Sequence, residues 1–443
     1  MSLSWVVRPG PGRRLVHVNA TATGGGVAEL LHSVVPAQVA AGTNAGWVVI
    51  SGSDSFFALT KSVHHLLHDR GDPAAVADPA LWAAYRSVLD PQAAELAGQL
   101  GPGDVVVLHD PQTLGLAPRL AAAGARTLWH CHIGTTAPGA PGPAAVWSAL
   151  APELAAVDGV LVAEPGYAPP AAARHLVSPA IDPGTAKNRP LSAAEVSALL
   201  TGIGLYEGPA GSAKAGSGAA VVEQVAPVPP GARLVVQVSR WDPLKDMPGV
   251  VRCVPGLPAD VHLVLAGNDP DEIPDDPEGA AVLAEVRAVL AGLAGADRDR
   301  VHLVRTRSKG GDQALVVNAL QRRADVVLQK SLAEGFGLTV TEAMAKGRAV
   351  VAGAVGGIRA QLAPDDCGVL VDPTDRAAVV AALRGLLDDP DRRRAMGGRA
   401  AARVARHYTL GRLVADYHRI AEPVPAGGGG ADAVDGAGDR GRR

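Results

Sequence analysis

Arg240 and Lys245 are two cations in the segment VSRWDPLKDMPG, directly after a run with the pattern of a strand. Pro243 lies between them and restricts the backbone of the loop. Two cations at the carboxyl end of a strand can bind a diphosphate and stabilise it as a leaving group. The alternative is an ordinary pair of solvated loop side chains, which contributes little.

Glu334 and Glu342 form a second candidate group, in the segment KSLAEGFGLTVTEAMAKG. The glycines of this segment and the C-capping position of Gly347 predict a helix from about Leu338 to Lys346. Glu334 then lies in the loop before the helix, and Glu342 lies about one turn inside it. Carboxylates in such places can accept hydrogen bonds from sugar hydroxyls. The alternative is a pair of surface glutamates, the first of which favours the helix dipole.

Three consecutive glycines, residues 24–26, follow the first predicted strand and open a helix. Glycines allow the backbone to approach a phosphate closely, and a helix N-terminus offers free N–H groups. A tight strand-to-helix turn is an equally good interpretation. The spacing differs from the G-x-G-x-x-G fingerprint, which argues against a dinucleotide-dependent dehydrogenase.

Two loops in the first half carry acid–base side chains after predicted strands: His109-Asp110-Pro111-Gln112 and His130-Cys131-His132. Asp and His at such positions suit a sugar pocket or general acid–base chemistry. A His-x-His pair can also bind a metal, but no further spaced ligands support a metal site. A structural role is the more frequent one for any single histidine.

The segments that must position these residues are short apolar runs, which alternate with longer Ala- and Leu-rich segments. In the first half the runs predict a helix at Val27–Ala40 and strands at Arg14–Asn19, Trp47–Ile50, Asp104–His109, Arg126–Trp129 and Gly159–Ala163. In the second half they predict strands at Arg233–Val238, Val261–Ala266, Val301–Val304, Asp325–Gln329, Ala349–Ala352 and Gly368–Val371. Helices are predicted there at Gly279–Ala294, Asp312–Arg322, Arg376–Leu387, Asp391–His407 and Leu410–Ile420. Strands that are apolar throughout and separated by helices are typical of parallel sheets covered on both faces.

The two series are separated by a segment rich in Gly, Ala, Ser and Pro, which we interpret as a linker over residues 186–224 with an insertion at Gly208–Val225. The chain is therefore expected to form two doubly wound α/β domains, residues 1–185 and 225–405. The last helix, at about 408–420, is expected to cross back to the first domain, and 421–443 to be a disordered tail. A cleft facing the carboxyl ends of both sheets is the expected ligand site.

Composition excludes several classes of function. The 41 basic and 44 acidic residues give a net charge of −3, so nucleic acids and acidic membranes are poor candidate partners. The N-terminus lacks the apolar region of a signal peptide, and no apolar run is long enough to span a bilayer. Three distant cysteines predict no disulfide framework or zinc site, and a cytoplasmic location is expected. Aromatic residues make up only 3% of the chain, so the cores must consist of Ala, Val and Leu.

Taken together, these motifs resemble a retaining glycosyltransferase of the family-four type, with the GT-B fold of two Rossmann-like domains and an inter-domain cleft. More closely, the chain resembles the trehalose glycosyltransferring synthases and their trehalose phosphorylase relatives. The matching segments are HVNATATGGGVAELLHSVVP, WVVISGSDSFFALTKSVHHLL, HDPQTLGL, WHCHIG, PAIDPGTAKN, QVSRWDPLKDMPGV, DDPEG and VNALQRRADVVLQKSLAEGFGLTVTEA. They run from Val16 to about Asp372 and cover most of the chain.

The resemblance implies transfer of glucose from ADP- or UDP-glucose to the anomeric hydroxyl of glucose, which gives α,α-trehalose, with no further cofactor and no metal. It implies that Arg240 and Lys245 hold the donor diphosphate, that Glu334 binds the donor glucose and that Glu342 binds the ribose. The other donor-binding positions that it implies are Gly25, Gly26, Gly335, Phe336, Gly337, Leu338, Gly356 and Gly357. His132 would bind the donor sugar near its reacting face, and Asp110, Gln112 and His130 would lie at the acceptor. A homodimer is also implied.

Members of this family typically carry Arg-Cys-His-Ile-Asp where this chain has His130-Cys131-His132-Ile133-Gly134. An arginine and an aspartate are therefore replaced in a loop expected to face the sugars, which puts the acceptor in question. Three alternatives stay open: the same donor chemistry with a cyclitol or another sugar as acceptor, a trehalose phosphorylase, and a non-catalytic protein that binds sugar nucleotides.

Overall fold

The structure is a computed structural model that describes residues 2–23, 25–135, 137, 139–170, 172–208, 218–272, 277–308 and 312–422. Gly24, the middle of the predicted insertion and all but two residues of the predicted tail therefore lie outside the described residues. No helix in the described ranges is long and apolar enough to cross a membrane.

The described residues form fourteen strands in two seven-stranded sheets. The strands are β1 Ser4–Val7, β2 Leu15–Asn19, β3 Ala45–Val49, β4 Val105–His109, β5 Arg126–Cys131, β6 Gly159–Val162, β7 Arg174–Leu176, β8 Ala220–Glu223, β9 Arg233–Val238, β10 Val261–Asn268, β11 Val301–Thr306, β12 Val326–Gln329, β13 Ala349–Gly353 and β14 Val369–Val371. The first sheet has the order β1-β3-β2-β4-β5-β6-β7 and the second the order β14-β13-β12-β9-β10-β11-β8. We call the sheets with their covering helices the first lobe and the second lobe.

Helices cover both faces of the two sheets, as continuously apolar strands require. They are α1 Gly26–Ala40, α2 Asp54–Leu67, α3 Pro79–Ala97, α4 Asp110–Leu114, α5 Ala117–Ala122, α6 Pro141–Ala149, α7 Ala151–Leu154, α8 Ala193–Gly202, α9 Met247–Val251, α10 Pro277–Ala291, α11 Gly295–Arg298, α12 Gln313–Arg323, α13 Leu338–Ala345, α14 Ile358–Leu362, α15 Arg376–Leu387, α16 Pro390–His407 and α17 Leu410–Ala421. This architecture confirms the predicted fold of two Rossmann-like α/β domains.

Parallel pairing places the loops that carry the candidate residues side by side. In the first sheet β4 and β5 pair in a register that sets His109 opposite His130, so the loops after both strands leave the same edge. In the second sheet β9 and β12 are parallel neighbours, so the segments that follow them also lie at one edge. The carboxyl ends of the strands thus collect the candidate side chains.

Each sheet ends in an antiparallel edge strand that the sequence analysis did not predict. The half-buried β1 pairs with β3, and β8 pairs with β11 through residues Ala220–Glu223. The interpretation of 186–224 as a linker needs correction for its described part. Helix α8 and the segment of β8 pack into the second lobe, with Val196, Leu200 and Ala220 buried in its core.

The final helix, α17, packs on the first lobe, although it follows the second lobe in the chain. Leu413, Tyr417 and Ile420 are buried in one cluster with Leu15 of β2 and Val105 of β4. Its apolar residues fall on one face of the helix, which explains why it binds this sheet. The helix therefore ties the end of the chain to the lobe that contains its beginning.

We expect Leu413→Ala to destabilise the first lobe by about 3 kcal/mol, because Leu413 is fully buried and its loss leaves a cavity. Chemical denaturation followed by fluorescence measures the loss. Val225→Ala is the control, since that side chain is 64% exposed and its truncation should leave stability nearly unchanged. Equal stabilities for the two variants would contradict the packing of α17 on the first lobe.

Candidate active site

The two lobes approach each other backbone to backbone at one point of the cleft. A Cβ atom on Gly335 would lie 2.3 Å from the carbonyl oxygen of His132, so only glycine fits there. A Cβ atom on Gly26, at the start of α1, would lie 3.7 Å from Leu338 at the start of α13. The N-termini of these two helices therefore face each other across the cleft, as expected if both approach one ligand.

The loop after β12 is held in place by glycines and by a tyrosine of the first lobe. Gly356 has φ +46°, and a Cβ atom there would lie 1.9 Å from the carbonyl oxygen of Glu334. The hydroxyl of Tyr167 donates to the carbonyl oxygens of Gly335 (2.7 Å) and Glu334 (3.1 Å). Gly357 also lies against this loop and donates its N–H to Gly335. The position of Glu334 is therefore fixed from both lobes.

Lys245 and Glu334 form an ion pair where the loops after β9 and β12 meet. The Lys245 Nζ lies 2.7 Å from Glu334 Oε1, and the two side chains are only 14% and 10% exposed. Ser331 Oγ donates to the same carboxylate oxygen at 2.9 Å. This pair offers a ligand one cation and the second carboxylate oxygen of Glu334, which accepts no hydrogen bond from the residues that the structure describes. The combination suits a phosphate beside a sugar hydroxyl.

Arg240 lies on the same loop as Lys245 but is more open. Its side chain is 56% exposed and forms an ion pair with Asp242. Asp242 in turn accepts a hydrogen bond from the N–H of Leu244 at 2.8 Å, which shapes the loop. The structure thus brings both predicted cations to one loop, with Lys245 inside the cleft and Arg240 at its edge.

Glu342 is buried in α13 and surrounded by two lysines. Lys187 Nζ lies 3.7 Å from Glu342 Oε1 and also pairs with Glu29 of α1, so it links the two lobes. Burial raises the pKa of Glu342, and Lys187 and Lys346 oppose that rise. Lys187 was not predicted from the sequence, although it lies in the segment PAIDPGTAKN, one of the segments that match the family.

Asp110 stands at the end of β4 with φ +59°, a conformation that non-glycine residues seldom adopt. Its Oδ1 accepts the backbone N–H of His132 at 2.9 Å, and Trp129 donates to its carbonyl oxygen at 3.0 Å. Burial raises the pKa of Asp110 to about 7, while the hydrogen bond from His132 opposes the rise. The carboxyl group can therefore exchange a proton near neutral pH.

His132 is joined to two histidines of the first lobe. Its Nε2 lies 2.9 Å from Nδ1 of His109, and Nε2 of His109 lies 2.9 Å from Nδ1 of His17. Burial lowers the pKa of His132 to about 3 and that of His17 to about 4. These rings are therefore neutral at physiological pH. Sequence reasoning did not find His17, because nothing in its spacing connects it with the loops after β4 and β5.

His130 differs from the expectation that it contacts the acceptor. Its ring is fully buried, and its Nδ1 lies 2.7 Å from the hydroxyl of Tyr417 in α17. Its ring stacks on the ring of His132 with the centroids 3.9 Å apart, so it packs against one face of that ring. Nitrogens of His109, His130 and His132 lie within 4.8 Å of one another. His132 also stacks with both of the other rings, at 5.2 Å from His109 and 3.9 Å from His130 between centroids.

Gly134, the second departure from the family pattern, has no room for a side chain. A Cβ atom there would lie 2.5 Å from the ring of Tyr167. Its carbonyl oxygen accepts a hydrogen bond from Nδ1 of His68 at 3.1 Å. Tyr167 therefore packs where an aspartate would begin.

Helix α2 and the residue directly after it provide two histidines, His64 and His68, that were not predicted from the sequence. Burial, together with the charges of His68 and Arg240, lowers the pKa of His64 to about 3. Burial likewise lowers the pKa of His68 to about 4, and the nearby Lys245 adds to this shift. This face of α2 therefore lies over the loop of cations.

The remaining predicted residues are also placed at the edge of the cleft or near it. Gly25 has φ +78° and precedes α1, and Gly337 has φ +86° and precedes α13. Phe336 is buried, and its carbonyl oxygen accepts from Gln361 at 2.6 Å. Gln112 lies in the short helix α4, two residues after Asp110, and its Oε1 is buried without a hydrogen-bond partner among the described residues.

Two family models match the chain. Residues 17–169 match the N-terminal domain of trehalose synthase, and residues 296–403 match glycosyl transferases group 1. Trehalose synthase from Rubrobacter xylanophilus is 35% identical over 418 residues, which cover 92% of this chain and 90% of that protein. Trehalose synthase from Pyrococcus horikoshii is 32% identical over 412 residues, which cover 92% and 89%.

Among solved structures, one described as trehalose-6-phosphate from E. coli bound with UDP-2-fluoro glucose is similar with a TM-score of 0.68. It covers 92% of this chain and 98% of that chain at 14% identity. This similarity supports the two-lobed fold.

We expect Asp110→Asn to make the stability of the protein less dependent on pH. Because the folded state raises the pKa of Asp110 to about 7, the wild type loses stability as pH rises from about 4 to 7, where only the unfolded carboxyl ionises freely. The variant lacks this loss, so its stability relative to the wild type should increase over that range by up to about 4 kcal/mol. Urea denaturation at several pH values measures the difference, and parallel pH profiles would contradict the buried carboxyl.

We expect Gly134→Asp, which introduces the residue typical of the family, to destabilise the protein by about 2 kcal/mol, since Tyr167 must move. Gly398→Ala is the matched control. It lies inside α16 with open space around the added methyl group, so it should be neutral or stabilising. Thermal unfolding of both variants checks this prediction. A Gly134→Asp protein as stable as the wild type would show that Tyr167 can move without a loss of stability.

Proposed function

The chain belongs to the trehalose synthase family of glycosyltransferases, and on this basis we propose that it transfers glucose from a nucleotide diphosphate glucose to glucose. ADP- or UDP-glucose is the proposed donor and α,α-trehalose the proposed product. The observation that carries the proposal is the ion pair of Lys245 and Glu334, which lies in the same cleft as Asp110 and His132.

In the proposed donor complex, Arg240 and Lys245 bind the diphosphate, and Glu334 accepts hydrogen bonds from the glucose hydroxyls. Glu342 accepts hydrogen bonds from the ribose, and Lys187 opposes the rise in its pKa that burial causes. The glycines at the starts of α1 and α13 let backbone N–H groups approach the phosphates. A similar fold from E. coli is described with a bound UDP-sugar, which supports a nucleotide sugar as donor.

In the proposed acceptor site, Asp110 and Gln112 hold the acceptor sugar, and His132 binds a hydroxyl of the donor sugar. The hydrogen bond from the N–H of His132 to Asp110 fixes these two groups relative to each other. The side-chain oxygen of Gln112 has no hydrogen-bond partner among the described residues, and a sugar hydroxyl would supply one. We propose that residues 1–185 thus bind the acceptor and residues 225–405 the donor, in a homodimer.

The proposed reaction retains configuration by attack on the face from which the diphosphate leaves. The anomeric hydroxyl oxygen of the acceptor forms a bond to C1 of the donor glucose while the bond from C1 to the phosphate oxygen breaks. The departing phosphate oxygen takes the proton of the attacking hydroxyl. Arg240 and Lys245 stabilise the charge that develops on the diphosphate, and no side-chain nucleophile or cofactor is needed.

Incubation with ADP- or UDP-glucose and glucose, followed by chromatography, tests the proposal. We expect a non-reducing disaccharide and release of the nucleoside diphosphate in equal amounts. If a product forms only when a cyclitol or another sugar is supplied, that compound is the acceptor in place of glucose. Phosphate-dependent release of glucose from trehalose would instead identify a phosphorylase, and tight nucleotide binding without any turnover would identify a binding protein.

We expect Lys245→Ala and Glu334→Ala each to lower the transfer rate by at least about 100-fold, because each removes a charge that contacts the donor in the proposed complex. Circular dichroism should show that both variants stay folded. Arg119→Ala is the control, since it removes an ion pair with Asp90 on the protein surface. A near-wild-type rate in either cleft variant would contradict its assigned role.

A further inference from the structure

A continuous chain of hydrogen bonds leads from α1 through the buried first sheet to His132. Oε1 of Gln38 lies 3.1 Å from Nε2 of His17. Nδ1 of His17 lies 2.9 Å from Nε2 of His109, and Nδ1 of His109 lies 2.9 Å from Nε2 of His132. Gln38, His17 and His109 are all fully or almost fully buried, whereas the ring at the end of the chain, His132, is partly exposed.

The direction of each hydrogen bond in this chain determines the direction of the next. Burial lowers the pKa of His17 to about 4 and that of His132 to about 3, and it lowers the pKa of His109 as well. Each ring is therefore neutral and carries one proton, so one of its nitrogens donates and the other accepts. Fixing the proton of one ring consequently fixes the protons of all three.

The amide of Gln38 is the group that can fix this direction. In the structure its Oε1 faces His17, and its Nε2 is buried without a hydrogen-bond partner among the described residues. An amide oxygen can only accept, so in this orientation His17 carries its proton on Nε2 and accepts from His109 through Nδ1. By the same logic His109 and His132 carry their protons on Nε2. This is the tautomer that a free histidine side chain prefers, whereas the opposite orientation of the amide would force all three rings into the less favoured one.

We propose that Gln38 is a positioning residue that keeps His132 in the Nε2–H tautomer, so that Nδ1 of His132 is a hydrogen-bond acceptor for a sugar hydroxyl in the cleft. No hydrogen bond joins this nitrogen to another group in the described part of the chain, so it is available to a ligand. The tautomer itself does not depend on the proposed function, and only the effect on turnover rests on it.

The tautomer is measured directly by nitrogen NMR of the full chain with ¹⁵N-labelled histidine. The wild type should show a protonated Nε2 and an unprotonated Nδ1 for His132, assigned by the loss of its signals in His132→Gln. In Gln38→Met the fixed acceptor is gone, and the two nitrogen shifts of His132 should move toward each other as the tautomers mix. A proton on Nδ1 in the wild type, or an unchanged His132 spectrum in Gln38→Met, would overturn the proposal.

The effect on turnover is tested with the same variants. We expect Gln38→Met to lower kcat about tenfold, the value of one hydrogen bond, with the KM for the donor nucleotide sugar changed less than about twofold. His17→Leu interrupts the same chain, so the double variant should be no slower than His17→Leu alone. Val35→Ala, a buried truncation on the same helix, is the control for packing and should change neither the tautomer nor kcat. Additive losses of kcat in the double variant would contradict the proposal that Gln38 and His17 act through one chain of hydrogen bonds. The spectrum of the wild type shows the tautomer of His132 even if a variant fails to fold.

Discussion

The site depends on one steric constraint, the approach of the two lobes at Gly335 and the carbonyl oxygen of His132. A Cβ atom on residue 335 would lie only 2.3 Å from this carbonyl oxygen. The loop after β12 can therefore lie against the loop after β5 only if residue 335 is a glycine. Tyr167 then holds the same loop by its two hydrogen bonds from the first lobe. Because of this contact, Glu334 and Lys245 from one sheet share a cleft with Asp110 from the other.

The charges in this cleft are arranged so that few are left unpaired. Lys245 is neutralised by Glu334, and Glu342 by Lys187, while the buried histidines of the first lobe stay neutral. Isolated buried charges would be costly, and pairing with an opposite charge makes their burial tolerable. In the proposed reaction the diphosphate of the donor would form an ion pair with Lys245. Binding of the donor would therefore replace the ion pair between Lys245 and Glu334 by another.

The sequence predicted the parts of this structure that local pattern controls. The central strands β9 and β12 fall where their residues indicate, because strands buried on both faces are mostly apolar and only Arg233, Gln237 and Gln329 interrupt these two. The edge strands β1 and β8 were missed, since short half-buried strands depend on their neighbour for pairing. Lys187 was missed for a different reason: it reaches Glu342 because residues 186–189 pack on α12, and nothing in the spacing along the chain records that distance.

Packing explains the two departures from the family pattern, so neither of them indicates which acceptor the chain uses. His130 points back to Tyr417 in the final helix, and Gly134 makes room for Tyr167. Both replacements therefore serve packing between segments of the first lobe, and neither presents a polar group to the cleft. If the acceptor of this chain differs from glucose, the difference must come from groups other than these two replacements, which directs attention to Asp110, Gln112 and His64.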